Sequence, residues 1–461
     1  MTGLMLCALL VILLILLGKP ISSSFLFGGI LFLLLTGGSM GAVASTAYFA
    51  LERSTLLAIP LFMLAGGLMD AAGIAEKLIN FAAALLRKFK GAMGATIPLA
   101  SMFFGAISGS GTATVVALSS ILLPKLTKMG WDKRYTAAFL AASAPLGFMI
   151  PPNMNAILFS VVADVSIAAL FLATIIPGIL WGLGYIILNR MVYKKWYDPE
   201  VEKQALAEEA RERAEKRAEK RGETITAEEL VMDEGYFRGV WRTFISALPA
   251  LFMPVIIFAG IYGGIFSPTE AAAVSGVYAI LVGIIVYKRI KLKNALSVFT
   301  KSGFGLGGFM FIIPFTFVFS RLLILNGVPQ AIAGGIDSVT SNPIIILLLI
   351  NLVLIIAGFF LDAGVLILII TPMLVPTAHM IGLSMTQLAV MMFVCVGIGT
   401  ITPPMAMNLF ITAKASGVPV TAMVKPLIPM LVFVCIPILL LVTFVPALSL
   451  WLPSVVMGIG S

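Results

Sequence analysis

The sequence predicts an all-α polytopic membrane protein of about ten transmembrane helices plus two re-entrant hairpins, built as two inverted repeats. Three observations carry this reading. The 461-residue chain is 60% hydrophobic and only 11% charged, so it cannot surround one core with a polar surface as a soluble domain does. Apolar runs able to cross a hydrocarbon core of roughly 30 Å recur along nearly its whole length, with Gly and Pro inside them as membrane helices tolerate. Gly and Pro also recur at one spacing in the two halves.

That spacing is 252 residues: Pro124 pairs with Pro376, Gly130 with Gly382, Gly147 with Gly399, and Pro151-Pro152 with Pro403-Pro404. Gly73-Ile74 pairs with Gly327-Val328 at nearly the same offset. Apolar composition alone does not generate such a run, so the chain contains an internal repeat.

Basic residues set the orientation. Lys19, Arg87, Lys88, Lys90, Lys125, Lys128, Lys133, Arg134, 288–293, Lys414 and Lys425 cluster in a few loops, while the loops around Glu52, Asp164 and Glu270 are poor in Lys and Arg. Cytoplasmic loops collect such charge, which places both termini outside. Residues 56–69 then run inward and their counterpart, near 304–325, runs outward. Inversion supplies two related gates of opposite facing, which favours a secondary transporter over a channel or a membrane enzyme. The net charge of +9 belongs to these loops and to the linker, and implies no nucleic acid.

Several features exclude other chemistry. The first apolar run, residues 4–17, lacks a basic n-region and a cleavage site before Lys19-Pro20, so it is expected to be a retained span. Cys7, Cys395 and Cys435 sit in apolar runs without ligand spacing and are expected as small buried hydrophobes. His379 has no partner cluster. With no nucleophile–base set in view, neither an enzyme nor a cofactor is expected.

The expected organisation is N-terminal scaffold helices in 1–55, a first repeat in 56–193, a charged cytoplasmic linker in 194–243, further scaffold helices in 244–302 and a second repeat in 303–461. In the linker, Glu208, Glu212, Glu215 and Glu219 each have a basic partner three or four residues away, the pattern of a solvated helix. Docking of a partner or of anionic lipid is the alternative.

Each repeat contains two breaks at membrane depth. In the first, about 95–107 meets about 115–123 across the polar tip 108–114; in the second, about 344–360 meets about 365–374 across 361–364. Arms beside the first tip are too short to span, so they must re-enter, and their irregular backbone must be buried or line a cavity. The second break is the double proline, which removes backbone donors and frees the carbonyls of 147–150 and 399–402. A desolvated Na⁺ ion suits such carbonyls, assisted by hydroxyls and the negative ends of half-helices. Ser108, Ser110, Thr112, Thr114, Asn153 and Asn155 are the polar candidates in repeat one, and Asp362, Thr400, Thr402 and Asn408 those in repeat two. Asp362 stands in an otherwise apolar stretch, where an ionisable residue signals a cation or a polar substrate. Arg321 either snorkels to an interface or meets an anionic substrate, and Glu270 reads as a helix-start acid after Ser267-Pro268.

With these residues in view, the chain resembles the large membrane subunit of tripartite ATP-independent periplasmic (TRAP) transporters. The motifs are IPLFMLAGGLMDAAGI from Ile59, GAISGSGTATVVALSSILLP from Gly105, YGGIFSPTEAAAV from Tyr262 and GTITPPMAMNLFITAKASGVP from Gly399. The resemblance implies an elevator-type subunit of the bacterial inner membrane. It would work with a small four-helix subunit and a periplasmic substrate-binding protein in sodium-driven uptake of carboxylates or acidic sugars. Sodium sites are implied at Ser108, Thr112, Gly147, Ile150 and Asn153, and at Gly399, Thr402 and Met405. The substrate cavity is implied at Ser108, Ser110, Asn155 and Asp362. Gly67 departs from the family's usual Glu in that segment, and no fused small subunit precedes the chain, so a separate partner is expected. The alternative is an autonomous sodium-coupled carboxylate symporter without a binding protein.

Overall fold

A computed structural model describes residues 6–7, 9–11, 13–14, 17–36, 40–89, 91–205, 207–208, 236–290, 292–404 and 406–458. Among these the regular structure is helical throughout, apart from one isolated bridge between Trp131 and Tyr197. Six helices are long and apolar enough to cross a bilayer: Ser54–Ala71, Ile167–Lys195, Tyr236–Tyr262, Pro268–Val286, Ala363–Met380 and Val420–Phe444. Two pairs, Lys133–Met149 with Met154–Ala163 and Met310–Leu325 with Val328–Val339, bend by 49° and 59° and bring the total to eight. Ser22–Leu35, Met385–Gly399 and Ala447–Met457 are shorter apolar helices, and the expected first span at 4–17 lies partly outside the described residues. At 1.5 Å per residue, the 15 residues of Met385–Gly399 reach roughly 22 Å, short of the hydrocarbon thickness.

Both hairpins are present. Hairpin 1 joins arms Ala92–Ser108 and Gly111–Lys128, and hairpin 2 joins Pro343–Gly358 and Ala363–Met380. Tip 1 is tighter than the sequence suggests, because Thr112, Ala113 and Thr114 already form the first turn of the second arm. Gly109, at φ +60°, makes the sharp reversal that lets that arm begin so early. Each hairpin is followed by a broken helix: Lys133–Ser143 and Leu146–Met149 then Met154–Ala163, and Met385–Gly399 then Met407–Ser416. The double prolines fall in the two breaks, and both Pro–Pro bonds are cis.

The halves grip one another crosswise. Met154–Ala163 of repeat one lies against Ala363–Met380 of repeat two, while Met407–Ser416 lies against Gly111–Lys128 and Lys133–Ser143. Phe159 meets Phe393 edge-on at 6.1 Å, and Trp181, fully buried, fills the space left by Gly397. Around this unit, Ala58–Ala71 packs on Pro268–Leu281, and Leu292–Leu325 on Ile21–Thr36 and Met40–Leu51.

The start of the charged linker is folded onto repeat one. Trp131 stacks on Tyr135 and tilts against Tyr197, and Trp196 stacks on Tyr135 at 5.5 Å. Tyr135 Oη donates to Asn189 Oδ1 (3.0 Å), and Asn189 Nδ2 donates to the Gly91 carbonyl (2.9 Å). Asp132 caps the broken helix through the amides of Arg134 and Tyr135, and the Arg134 side chain holds its carboxyl below the usual carboxylate range. Lys128 reaches Glu208 at 3.1 Å, an exposed pair of little energetic weight. Glu212, Glu215 and Glu219 lie outside the described residues. At the far end the linker gives way to the helix Tyr236–Tyr262, which begins ahead of the expected boundary at 243.

Glycine determines how closely the hairpins approach the broken helices. A Cβ on Gly105 would lie 2.6 Å from Gly147 Cα and 2.9 Å from the Leu146 carbonyl oxygen, both backbone atoms with no freedom to move aside. Gly105→Ala is therefore expected to cost about 1–3 kcal/mol through overpacking, read as a lower thermal midpoint of the purified protein. Gly276→Ala, where nothing lies within 4 Å of the added carbon, is the control expected to leave the midpoint in place. Equal midpoints for the two variants would contradict the contact.

Candidate functional site

The site begins as eight helix ends gathered at two hairpin tips and two breaks. The second hairpin arms start at Gly111 and Ala363, and the second halves of the broken helices at Met154 and Met407. First arms end at Ser108 and Gly358, and first halves at Met149 and Gly399. Four N-termini offer unpaired N–H groups with partial positive charge, and four C-termini offer carbonyls with partial negative charge. Water is absent at membrane depth, so these ends need other partners.

Short polar side chains supply some of them. Ser110 is extended at the tip, and its Oγ accepts from the Ala113 amide at 3.4 Å. Asp362 holds the same place in hairpin 2, 252 residues on, and its Oδ2 accepts from the Gly364 amide at 3.2 Å. Asn153 Oδ1 accepts from the Ala156 amide at 2.7 Å. Within tip 1, Ser108 Oγ lies 3.3 Å from Thr114 Oγ1, Ser110 Oγ lies 3.0 Å from Thr112 Oγ1, and Thr114 Oγ1 donates to the Ser110 carbonyl at 2.7 Å.

The structure brings the residues of repeat one together. The Gly109 carbonyl accepts from the Met154 amide at 3.5 Å, and a Cβ on Gly109 would meet the Pro152 carbonyl at 2.5 Å. Gly147 packs on the Thr114 side chain, and an added Cβ would lie 2.8 Å from the Ser110 carbonyl. Ser108, Asn153 and Asn155 are 4%, 1% and 5% exposed, so bulk water does not serve them. Thr112 is half-buried at the tip beside Ser110. Because Pro151 and Pro152 carry no N–H, the carbonyls of Gly147 and Phe148 have no helical donor, and the turn closes instead with the Ile150 amide on the Leu146 carbonyl. The side-chain amides of Asn153 and Asn155 are buried donors without an acceptor.

Repeat two shares the plan but closes its break differently. Gly399 presses on Gly358, as Gly147 presses on Gly105. Here the carbonyls that Pro403 and Pro404 would orphan are met by the chain itself: Thr402 N donates to Gly399 O (3.2 Å) and Asn408 N to Thr400 O (2.9 Å). Asn408 Nδ2 also donates to Thr400 Oγ1 at 3.1 Å, and Thr402 Oγ1 to the Ile398 carbonyl at 2.7 Å. Each of these carbonyls keeps a second lone pair. Asn408 Oδ1 is buried without a donor. Met405 lies outside the described residues. Asp362 is partly exposed at tip 2, and its arm packs on the half-helix that begins beside Asn153 and Asn155.

Among the described residues no three His, Cys, Asp or Glu side chains gather. The oxygens that could hold a cation here are carbonyls and hydroxyls, a set suited to a hard monovalent ion. Glu270 forms a capping box with Ser267, its Oε2 accepting from the Ser267 amide at 2.8 Å. Arg321 is exposed on its helix. The sequence reading passed over Gly105 and Gly358, although each lies in the last turn of a first hairpin arm at nearly the repeat offset. It also passed over Gly66, whose added Cβ would lie 3.2 Å from Ser108 Cα and which brings Ser54–Ala71 against tip 1.

Comparison with known proteins shows the family of the chain. Residues 8–448 match the family described as "Tripartite ATP-independent periplasmic transporter, DctM component". The C4-dicarboxylate TRAP transporter large permease protein DctM of Pseudomonas aeruginosa is 34% identical over 93% of each chain. The sialic acid TRAP transporter large permease protein SiaM of Vibrio cholerae is 30% identical over 96% of each. The isethionate TRAP transporter permease protein DctMQ of Oleidesulfovibrio alaskensis is 32% identical over 89% of this chain and 60% of its own length. Among solved structures, the YdaH transporter of Alcanivorax borkumensis aligns over 91% of this chain and 87% of its own, with TM-score 0.55 and 14% identity, a likeness of fold alone. MtrF of Neisseria gonorrhoeae aligns over 88% and 83%, with TM-score 0.56 and 12% identity. The family match and the full-length relatives together establish that this chain belongs to the DctM component family of TRAP transporters, as a large permease subunit and a multi-pass membrane transport protein.

Proposed function

We propose that the chain is the sodium-coupled translocating subunit of an importer that takes an organic anion from a periplasmic binding protein. The observation that carries this reading is the convergence of opposite helix ends at two tips and two breaks. C-terminal ends, the freed carbonyls of Gly147 and Phe148 and the second lone pair of the Gly399 carbonyl suit Na⁺, with Ser108, Thr112, Ile150, Asn153, Thr402 and Met405 as the surrounding candidates. N-terminal ends and the unpartnered amides of Asn153 and Asn155 suit the oxygens of an anion, with Ser108 and Ser110 beside them, while the Asp362 carboxylate accepts from a hydroxyl of the solute. Carboxylates and a sulfonate are named for the relatives and fit such donors. Repeat one, whose carbonyls lack backbone donors, is the better formed cation site of the two.

In this reading the hairpins and broken helices move as one body, in elevator fashion, against the surrounding helices. The two halves are inverted, both termini face the periplasm and the linker is cytoplasmic, in the inner membrane of a bacterium. A small four-helix subunit completes the membrane part. Coupling follows from the geometry: an occupied cation site neutralises the carbonyls beside tip 1 and pins Gly109 on the break, which completes the anion site. The anion then binds more tightly when Na⁺ is present, and the reverse holds by linkage.

Reconstitution of the subunit with its small partner and binding protein tests this directly. Uptake of a carboxylate or sulfonate is expected only with an inward sodium gradient and a loaded binding protein. Equal uptake in potassium would contradict the coupling, and uptake by the large subunit alone would favour the autonomous symporter. Ser108→Ala is expected to raise the half-saturating sodium concentration by roughly ten-fold, the loss of about 1–1.5 kcal/mol for one oxygen ligand. Asp362→Asn separates charge from capping, since Asn caps as well as Asp does. It should keep its thermal midpoint while uptake falls by at least about ten-fold, corresponding to one lost charge-assisted contact. Full uptake by that variant would remove the carboxylate from the site.

A further inference from the structure

A second site lies on helices other than the hairpins and broken helices, where Tyr236–Tyr262 and Pro268–Val286 pack together beside Ile74–Leu86. A polar cleft of about 480 Å³ is lined by Lys77, Ile245, Ser246, Tyr287 and Arg289. It shares Pro249 and Val286 with an apolar groove of about 390 Å³ lined by Leu248, Phe252, Tyr278, Leu281 and Ile285. From Ser246 to Phe252 the helix rises roughly 9 Å, so the two compartments follow one another along the membrane normal. The polar compartment sits at the end that carries the basic 288–293 loop.

The walls are fixed. Tyr287 Oη donates to the Ser246 carbonyl at 2.9 Å and Tyr278 Oη to the Pro249 carbonyl at 2.7 Å, so neither phenol is left to seek a partner. A π-helical turn at Val282–Val286 precedes Tyr287 and widens the helix where the cleft opens, a feature often found at functional sites. The charges are not balanced internally. Arg289 pairs with Glu76 at 2.8 Å, while Lys77, half-buried on the same helix as Glu76, has no partner among the described residues. Lys77, Arg289 and Glu76 together leave one positive charge at the mouth of an apolar groove whose Phe252 and Ile285 are 50% and 63% exposed.

We infer that this is a binding site for one anionic phospholipid of the inner leaflet. The phosphodiester would lie between Lys77 and Arg289, and the start of one acyl chain along Leu248, Phe252, Leu281 and Ile285. A negative phosphodiester matches the one uncompensated cation among the residues lining the cleft, whereas a free phosphate would leave the adjoining groove bare. A lipid seated there wedges Tyr236–Tyr262 against Pro268–Val286 and bears on Ile74–Leu86, helices outside the hairpin unit.

Native mass spectrometry of the full chain, released from detergent with phosphatidylglycerol and phosphatidylcholine of the same acyl chains, tests the assignment. One phosphatidylglycerol per chain is expected to survive, with phosphatidylcholine retained several-fold less. Lys77→Gln should weaken phosphatidylglycerol retention about five-fold, the worth of one basic residue at an anionic surface, and Lys77→Arg should restore it. Leu281→Trp, which fills the groove, should abolish retention of the lipid without lowering the thermal midpoint. Equal retention of the two lipids, no change in Lys77→Gln, or equal thermal protection by inorganic phosphate alone would overturn the inference. So would a dimer from which lipid is excluded, since a second copy would then own the groove.

Discussion

A helix that ends inside a bilayer leaves N–H and C=O groups that lipid cannot satisfy, and this chain ends eight of them there. Everything else in the structure follows from how those ends are partnered. The long spans could be exchanged for other apolar helices of equal length. The ends at Ser108, Met149, Gly358 and Gly399 could not, because each depends on a neighbour brought to backbone contact through glycine. Gly105 on Gly147 and Gly358 on Gly399 are the two contacts that convert four unsatisfied termini into two compact clusters.

The crosswise grip extends this local solution to the whole transport unit. Met154–Ala163 belongs to repeat one but leans on hairpin 2, and Met407–Ser416 belongs to repeat two but leans on hairpin 1. Neither repeat can shift its break without disturbing the other repeat's tip. The break beside Gly147 is therefore connected to the arm capped by Asp362 through packed helices. The two breaks are not equivalent, however. Asn408 stitches repeat two closed by donating from both its backbone and its side chain to Thr400, whereas Asn153 in repeat one spends its oxygen on Ala156 and leaves its amide open. Two halves that share one Gly and Pro spacing thus contain one tied break and one open one.

Much of the fold was legible because the signals are those of broken periodicity in an apolar background. Pro151-Pro152 and Pro403-Pro404 at one offset marked the breaks, and the short arms around Ser108–Ser110 marked re-entry. Hairpin 2 could be placed from Asp362 alone, since a carboxylate in so apolar a stretch needs a cap or a ligand. The extent of tip 1 was not legible: hydroxyl-rich Thr112 and Thr114 look like loop but serve a capped helix, and only the Ser110 cap decides between the two. Composition also does not reveal that Met385–Gly399 is shorter than a full span. The glycine contacts were hidden for a different reason. Gly105 and Gly358 are ordinary residues in a membrane helix, and only the approach of a second backbone makes them indispensable. The inward fold of Trp196 and Tyr197 onto Tyr135 was masked by the charge of the linker that follows.

The central claim is that a cation completes the broken backbone of repeat one. Amide hydrogen exchange of the reconstituted protein, in sodium and in potassium at equal ionic strength, reads that backbone directly. The account predicts slower exchange in sodium at residues 108–114 and 153–156, with no change in the capping box at Ser267–Glu270. Identical exchange at the tip and the break in the two salts would contradict it.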